Sequence, residues 1–272
     1  MPQLYVVSTP IGNLEDITLR ALRVLGEVGL VAAEDTRKTK AMLRHYKIPT
    51  PVTSYHDHNE KAKLPLLLGK LEEVDIALVS EAGTPVLNDP GYTLILACIE
   101  RAIPVVPIPG ASSITSALVV SGMSTNSFVF LGFVPRKLGA RKELLSELNT
   151  EKRTLVFLES PHRLLETLND INAILPQRHL ALCRELTKLH EEVFRGTAAE
   201  ALAHFQNPRG EFVIVIEGAR SEELAPHPDE SILLRLEDLT RAGKSAKDAV
   251  AEVARALRLP KRHVYQLWHK QP

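Results

Sequence analysis

VDIALVSEAGTPVLNDPG (residues 74–91) joins an apolar run directly to a loop in which four of the last twelve residues are Gly or Pro. The run 76–79 is of buried-strand type, and the rigid turns after it end where a helical pattern starts. A strand that feeds a structured loop and then a helix is the unit of an α/β sheet. The loop also holds two carboxylates, Glu81 and Asp89. So much fixed backbone exceeds what a reversal of the chain requires, and it points to a ligand held at the strand end.

The same unit recurs on both sides. Strands are predicted at 4–7, 30–33, 76–79 and 104–108, with helices at 18–25, 38–46, 60–71 and 112–121 between or after them. This alternation argues for parallel strands with crossover helices. The polar stretch SGMSTNS (121–127) reads as a hinge. Beyond it, strands at 128–131, 154–158, 179–183 and 212–216 and a helix at 162–175 build a second sheet. Residues 222–230 read as a linker. The tail shows Ala249, Val250, Val253, Ala254 and Leu257 at helical spacing, with Pro260 opening a last helix. The expectation is two α/β domains with a cleft between them, at 1–120 and 121–220, and a small basic helical module at 221–272.

Lys plus Arg and Asp plus Glu balance at 33 each, so net charge announces neither nucleic acid nor membrane. The tail is the exception: residues 241–272 carry eight Lys/Arg against two acids, Asp248 and Glu252. Cys98 and Cys183 sit in apolar stretches and read as small buried hydrophobes. The N-terminus carries no secretory pattern and no run is long enough to span a bilayer, so a soluble, cytoplasmic protein without membrane partners is expected.

Polar, Gly/Pro-rich segments follow the predicted strands: STPIGNLEDIT (8–18), EDTR (34–37), SEAGTPVLNDPG (80–91), IPGASS (108–113), ESPHR (159–163) and RELTK (184–188). Each has a local reading as a turn or helix cap. Ser112 or Ser113 is a natural N-cap, and Ser160-Pro161 is a cap followed by a first-turn proline. Six together at strand ends describe a pocket for a polar small molecule. G-x-G-x-x-G, the phosphate-binding G-x-x-x-x-G-K-[ST], H-E-x-x-H and G-x-S-x-G are all absent. His56 and His58 in YHDHNE (55–60) lack further ligands at a recognisable spacing, and no metal site is expected.

As an ordered set, these segments together with LGFVPRK (131–137) and ESPHRLLETL (159–168) resemble the ribosomal RNA small subunit methyltransferase I group of the tetrapyrrole methylase superfamily. The resemblance runs continuously over about residues 3–217. It implies S-adenosylmethionine as cofactor, folded between the two domains, and 2′-O-methylation of a cytidine ribose in the 16S rRNA of the 30S subunit. It also implies a homodimer. One departure is Glu81, where the group usually has Asp.

Carried over by position, the cofactor cleft comprises Pro10, Gly12, Glu81, Ala82, Gly83, Thr84, Leu87, Pro109, Gly110, Ser112, Ser113, Phe157, Leu158 and Arg184. Glu34, Asp35, Glu159 and Glu185, at predicted strand ends, are candidates to assist the departing hydroxyl proton. Arg37, Arg163 and Lys188 would hold phosphates or steady those carboxylates, with Arg136, Lys137 and Arg141 of the segment 135–142 and Lys261 and Arg262 of the tail as further RNA contacts. Two other readings stay open: methylation of a precorrin ring carbon, and a non-catalytic RNA-binding or assembly protein with a vestigial cleft.

Overall fold

The computed structural model describes residues 2–219, 229–257, 259 and 261–268. Five parallel strands form the first sheet: β1 (Leu4–Val7), β2 (Leu30–Ala33), β3 (Val52–Ser54), β4 (Ile76–Val79) and β5 (Val105–Ile108), in the order β3-β2-β4-β1-β5. The apolar run that follows Asp75 is β4. It lies between β2 and β1, and all four of its residues are buried, as expected of a strand covered on both faces. Helices α1 (Leu19–Glu27) and α2 (Thr36–His45) cover the face carrying Val7, Val31, Ala33, Ala77 and Val79. Helices α3 (Glu60–Lys70) and α4 (Tyr92–Glu100) cover the face carrying Leu4, Ala32, Ile76 and Leu78. Because all five strands run the same way, the loops leaving them emerge along one edge.

Helix α5 (Ser113–Ser121) leaves β5 and packs on the second sheet. That sheet contains β6 (Phe128–Phe133), β7 (Thr154–Glu159), β8 (Leu180–Arg184), β9 (Glu192–Gly196) and β10 (Phe212–Ile216), in the order β6-β7-β10-β8-β9. Only β6 and β7 pair in parallel; β10 runs antiparallel to both β7 and β8. The ends of β7 and β8 therefore lie beside the start of β10, with Phe212 paired to Glu159 on one side and Arg184 on the other. Helices α6 (Leu138–Glu147), α7 (Pro161–Ile174) and α8 (Ala198–His204) cover the face opposite α5.

Residues 220–272 form a separate compact unit. Its helices α9 (Asp229–Arg241), α10 (Ala246–Ala256) and α11 (Lys261–Trp268) enclose Ile232, Leu236, Ala249, Val250, Val253, Ala254, Val264 and Leu267. Trp268 packs against this cluster, while Tyr265 is half exposed. Pro260 and most of the expected linker, 222–228, lie outside the described residues. Among the described residues no helix is long and apolar enough to cross a membrane.

Sequence patterning overlooked β3 and β9, both sheet edges and only half-buried, so neither carries the apolar density of an inner strand. It also overlooked α6, where Leu145 shares the buried face with an arginine. That residue corrects an expectation: Arg141, placed with the RNA contacts, is 3% exposed. Its Nε donates to Asp170 Oδ2 at 2.6 Å, and Nη2 lies 3.6 Å from Glu166 Oε2. It clamps α6 to α7 from inside. Asp170→Ala leaves a buried guanidinium without its main counter-charge and is expected to cost about 3–5 kcal/mol in urea unfolding. A loss below about 1 kcal/mol would contradict this role.

Candidate active site

The loop 80–91 is fixed to its neighbours mainly through backbone. Thr9 N–H donates to Gly83 O at 2.9 Å, and Gly83 N–H donates back to Thr9 O at 3.0 Å. Ser8 Oγ and Thr84 Oγ1 lie 3.0 Å apart, and Thr84 Oγ1 donates to Ala111 O at 3.3 Å. The loops after β1, β4 and β5 are thus tied at one point. Gly83 sits at φ +80°, a region glycine enters freely. Asn88 at φ +67° is of a type that tolerates this region, whereas Val86 at φ +75° is not; a β-branched side chain there stores about 1–3 kcal/mol. The second sheet closes on this loop at Gly132, where a Cβ would stand 2.6 Å from the Asn88 side-chain amide.

Between these walls is a cavity of about 440 Å³ lined from both lobes. Of the expected cofactor residues, Glu81, Ala82, Gly83, Thr84, Leu87, Ser112, Ser113 and Leu158 line it. Pro10, Gly12, Pro109, Gly110, Phe157 and Arg184 are not in its wall. Phe157 is fully buried in the core beneath α7, because alternation along β7 turns it away while Leu158 faces the cavity. Gly12 and Gly110 answer to protein packing: a Cβ would meet the Lys188 side chain at 2.3 Å at the first and Ser8 at 3.0 Å at the second. Arg184 Nε donates to Arg209 O at 2.7 Å, and its Nη1 pairs with Glu192 at 3.2 Å.

The four candidate proton acceptors separate in the same way. Asp35 caps α2, accepting from the amides of Lys38 and Arg37, which hold its carboxyl below the usual range. Burial alone would raise Glu185, but the Lys188 ammonium and the Glu211 amide outweigh it and keep the pKa low. Glu159 lines the cavity, yet both of its oxygens are engaged: Oε1 by Ser160 N–H and the Arg163 guanidinium, Oε2 by Thr167 at 2.6 Å. Arg163 then donates to Val134 O at 2.9 Å, so the pair braces β6 and α7. Glu34 differs. Its Oε2 accepts from Glu81 N–H at 3.0 Å, and Oε1 has no donor among the described residues.

Among the expected phosphate contacts, Arg37 is 91% exposed with a loose 3.5 Å pairing to Asp35. Arg136, Lys137, Lys261 and Arg262 are exposed as well. Lys188 is engaged by Glu185 and Glu211, both at 2.9 Å. Glu81 pairs with Lys38 of α2, and this bond holds the lysine pKa up. Residues missed as part of the site include Ile11, Asp89, Glu211 and Phe212 in the cavity wall. Asp89 is the chemically notable one. Burial, then Glu34, push its pKa up to about 7; the Ser80 hydroxyl acts the other way, while Glu81 and Asp57 reinforce the rise. In sequence it shows as a carboxylate of the loop, but its place in a D-P-G turn reads as a helix start and gives it no site role.

Residues 3–202 match the family described as tetrapyrrole (corrin/porphyrin) methylases. A ribosomal RNA small subunit methyltransferase I of Halalkalibacterium halodurans is 45% identical over 98% of this chain and 95% of its own length. The protein of that name from Synechocystis is 47% identical over 97% of this chain and 96% of its own. Among solved structures, a diphthine synthase superposes with a TM-score of 0.61 at 14% identity, covering 82% of this chain and 93% of its own. A uroporphyrin-III C-methyltransferase from Thermus thermophilus, complexed with S-adenyl homocysteine, gives 0.56 at 18% identity over 79% and 97%. At such identities the likeness to solved structures is one of fold.

The raised Asp89 pKa is also a statement about stability. A carboxyl that ionises near 3.8 when unfolded but only at about 7 when folded costs stability as pH rises through that window. Asp89→Asn is therefore expected to raise Tm at pH 8 and to leave it unchanged or lower at pH 3.5. An equal shift at both pH values would mean that the ionised carboxylate is not the cause.

Proposed function

The chain belongs to the tetrapyrrole methylase family and, within it, to the ribosomal RNA small subunit methyltransferase I group; we propose that it moves a methyl group from S-adenosylmethionine to the 2′-oxygen of a cytidine ribose in 16S rRNA. The observation that carries the reading is the cavity where backbone-pinned loops of one lobe face the strand ends of the other. Its residues fit the cofactor. Glu34 and Asp89, the wall's acids without a cation partner among the described residues, give it an acidic character suited to a positively charged sulfur centre, while Glu81 and Glu211 are paired with Lys38 and Lys188. Ser112 and Ser160, at the starts of α5 and α7, make no side-chain cap bond to their helices, which leaves first-turn amides available to an anionic group. Gly83 supplies close backbone approach. The relatives' shared name does not favour the precorrin-ring reading or the non-catalytic one.

Bound S-adenosylmethionine supplies a methyl group already activated by positive sulfur. The chain then has to align the ribose oxygen with it and exclude water. The rigid wall from Ala82 to Thr84 and the apolar Leu87, Leu158 and Phe133 serve this positioning. Glu34 takes the hydroxyl proton through Oε1, while Oε2 stays on the Glu81 amide and keeps the side chain in place. Glu159 and Glu185, already neutralised by cations of their own lobe, shape the wall. Exposed Arg37, Arg136 and Lys137 of the body and Lys261 and Arg262 of the C-terminal unit contact phosphates. An enzyme acting on ribosomal RNA would work in the cytoplasm, and that is the location proposed with the activity. A homodimer accounts for the unpartnered apolar stripe on α4, where Tyr92, Leu96 and Ile99 are exposed one turn apart.

Methyl transfer from radiolabelled S-adenosylmethionine into 30S subunits tests the activity, and equilibrium binding of the cofactor tests the cleft; absence of both would overturn the reading. Glu34→Gln keeps an acceptor for the Glu81 amide but not a base, so kcat should fall about 10²–10⁴-fold with cofactor affinity held. A kcat within a factor of three of wild type would acquit Glu34. Leu96→Glu with Ile99→Glu should convert the dimer to a monomer in sedimentation, and an unchanged mass would move the interface elsewhere.

A further inference from the structure

Helix α2 begins at the cavity rim, one residue after Asp35, and its two faces differ sharply. Thr39, Met42 and Leu43 turn inward onto the first sheet. The outer side carries Arg37, Lys40 and Arg44, spaced by three and four residues, and Lys47 continues the line just past the helix at φ +59°. From Arg37 to Arg44 the stripe spans about 10 Å at the helical rise. Lys38, on the adjoining side, is held by Glu81. No Asp or Glu occurs from residue 36 to residue 48. Lys40, Arg44 and Lys47 are exposed and have no ion-pair partner among the described residues.

Unlike α4, this face exposes no large apolar side chain, and so it lacks the anchors that a protein partner or a membrane surface would require. Unpaired cations in a line, leading away from a catalytic cleft, match the phosphate backbone of a polynucleotide. At the far end, His45 and Tyr46 stand edge to face with ring centres 4.7 Å apart.

From this arrangement we infer that Lys40, Arg44 and Lys47 form a docking rail for the RNA strand flanking the target nucleotide, delivering it along α2 to the cleft. The inference rests on the function proposed above, and it assigns that substrate a surface on the first lobe. The rail lies wholly within the first compact unit.

The test is the triple variant Lys40→Ala, Arg44→Ala, Lys47→Ala, with the charge-keeping Lys40→Arg, Arg44→Lys, Lys47→Arg as control. Binding is measured to isolated 16S rRNA and to 30S subunits over a range of salt. Each lost phosphate contact lowers the slope of log affinity against log salt by about one, so the alanine variant should lose about two to three units of slope. KM for RNA should rise at least tenfold, with kcat and cofactor affinity within a factor of two of wild type; the control should retain wild-type slope and KM. An unchanged slope would overturn the rail. Weakening towards 30S subunits alone, with naked RNA unaffected, would also overturn it and assign the face to a ribosomal protein. If the wild-type chain neither bound S-adenosylmethionine nor transferred methyl, the proposed function would fail, while the salt slopes on RNA would still decide the rail.

Discussion

The reciprocal hydrogen bonds between Thr9 and Gly83 hold together loops that the sequence separates by most of a domain. They work because β1 and β4 are neighbours running in the same direction, so both loops emerge at the same level of the sheet. Everything on the cavity's first wall follows from that. Thr84 reaches Ser8 and Ala111 only because Gly83 is fixed beside Thr9, and Glu81 then meets both Glu34 and Lys38. Backbone bonds do not depend on side-chain identity, so they fix the wall before a ligand arrives.

The acids around the cavity show how one residue type divides its labour. Glu159 and Glu185 satisfy cations within their own lobe, and Asp35 satisfies a helix start. Glu34 and Asp89 retain chemical freedom, one through an oxygen with no donor among the described residues and the other through an elevated pKa. Strand-end position alone does not separate these groups. What separates them is the inventory of donors nearby: Arg37, Lys38, Ser160, Arg163, Thr167 and Lys188 lie within eight residues of the acids they hold, while the amides of Glu81 and Glu211 come from distant parts of the chain.

That contrast marks what the amino-acid order reveals. The inner strands were legible because continuous apolar runs such as residues 76–79 have few alternatives to burial. The loop 80–91 and the Ser112–Ser113 turn were legible as binding segments because special backbone chemistry shows in residue types. The edge strands β3 and β9 were not, since half-buried mixed residues resemble loop. Arg141 was misread because a basic residue in a basic segment gives no sign that Asp170 awaits it from another helix. Asp89, visible as an acid of the loop, was not placed in the site because its chemistry comes from burial first and then from Glu34, Glu81 and Asp57, which the order of residues does not show.

Gly12 illustrates a further consequence of building a cleft from two lobes. The stem of Lys188, a residue of the second lobe, occupies the space where any side chain at position 12 would begin. The two positions interlock, so position 12 cannot grow while the Lys188 stem stays where it is. Any side chain at position 12 would have to displace that stem or push the loop after β1 away from the loop after β8. The missing side chain at Gly12 is thus what lets the two lobes meet this closely on that side of the cleft.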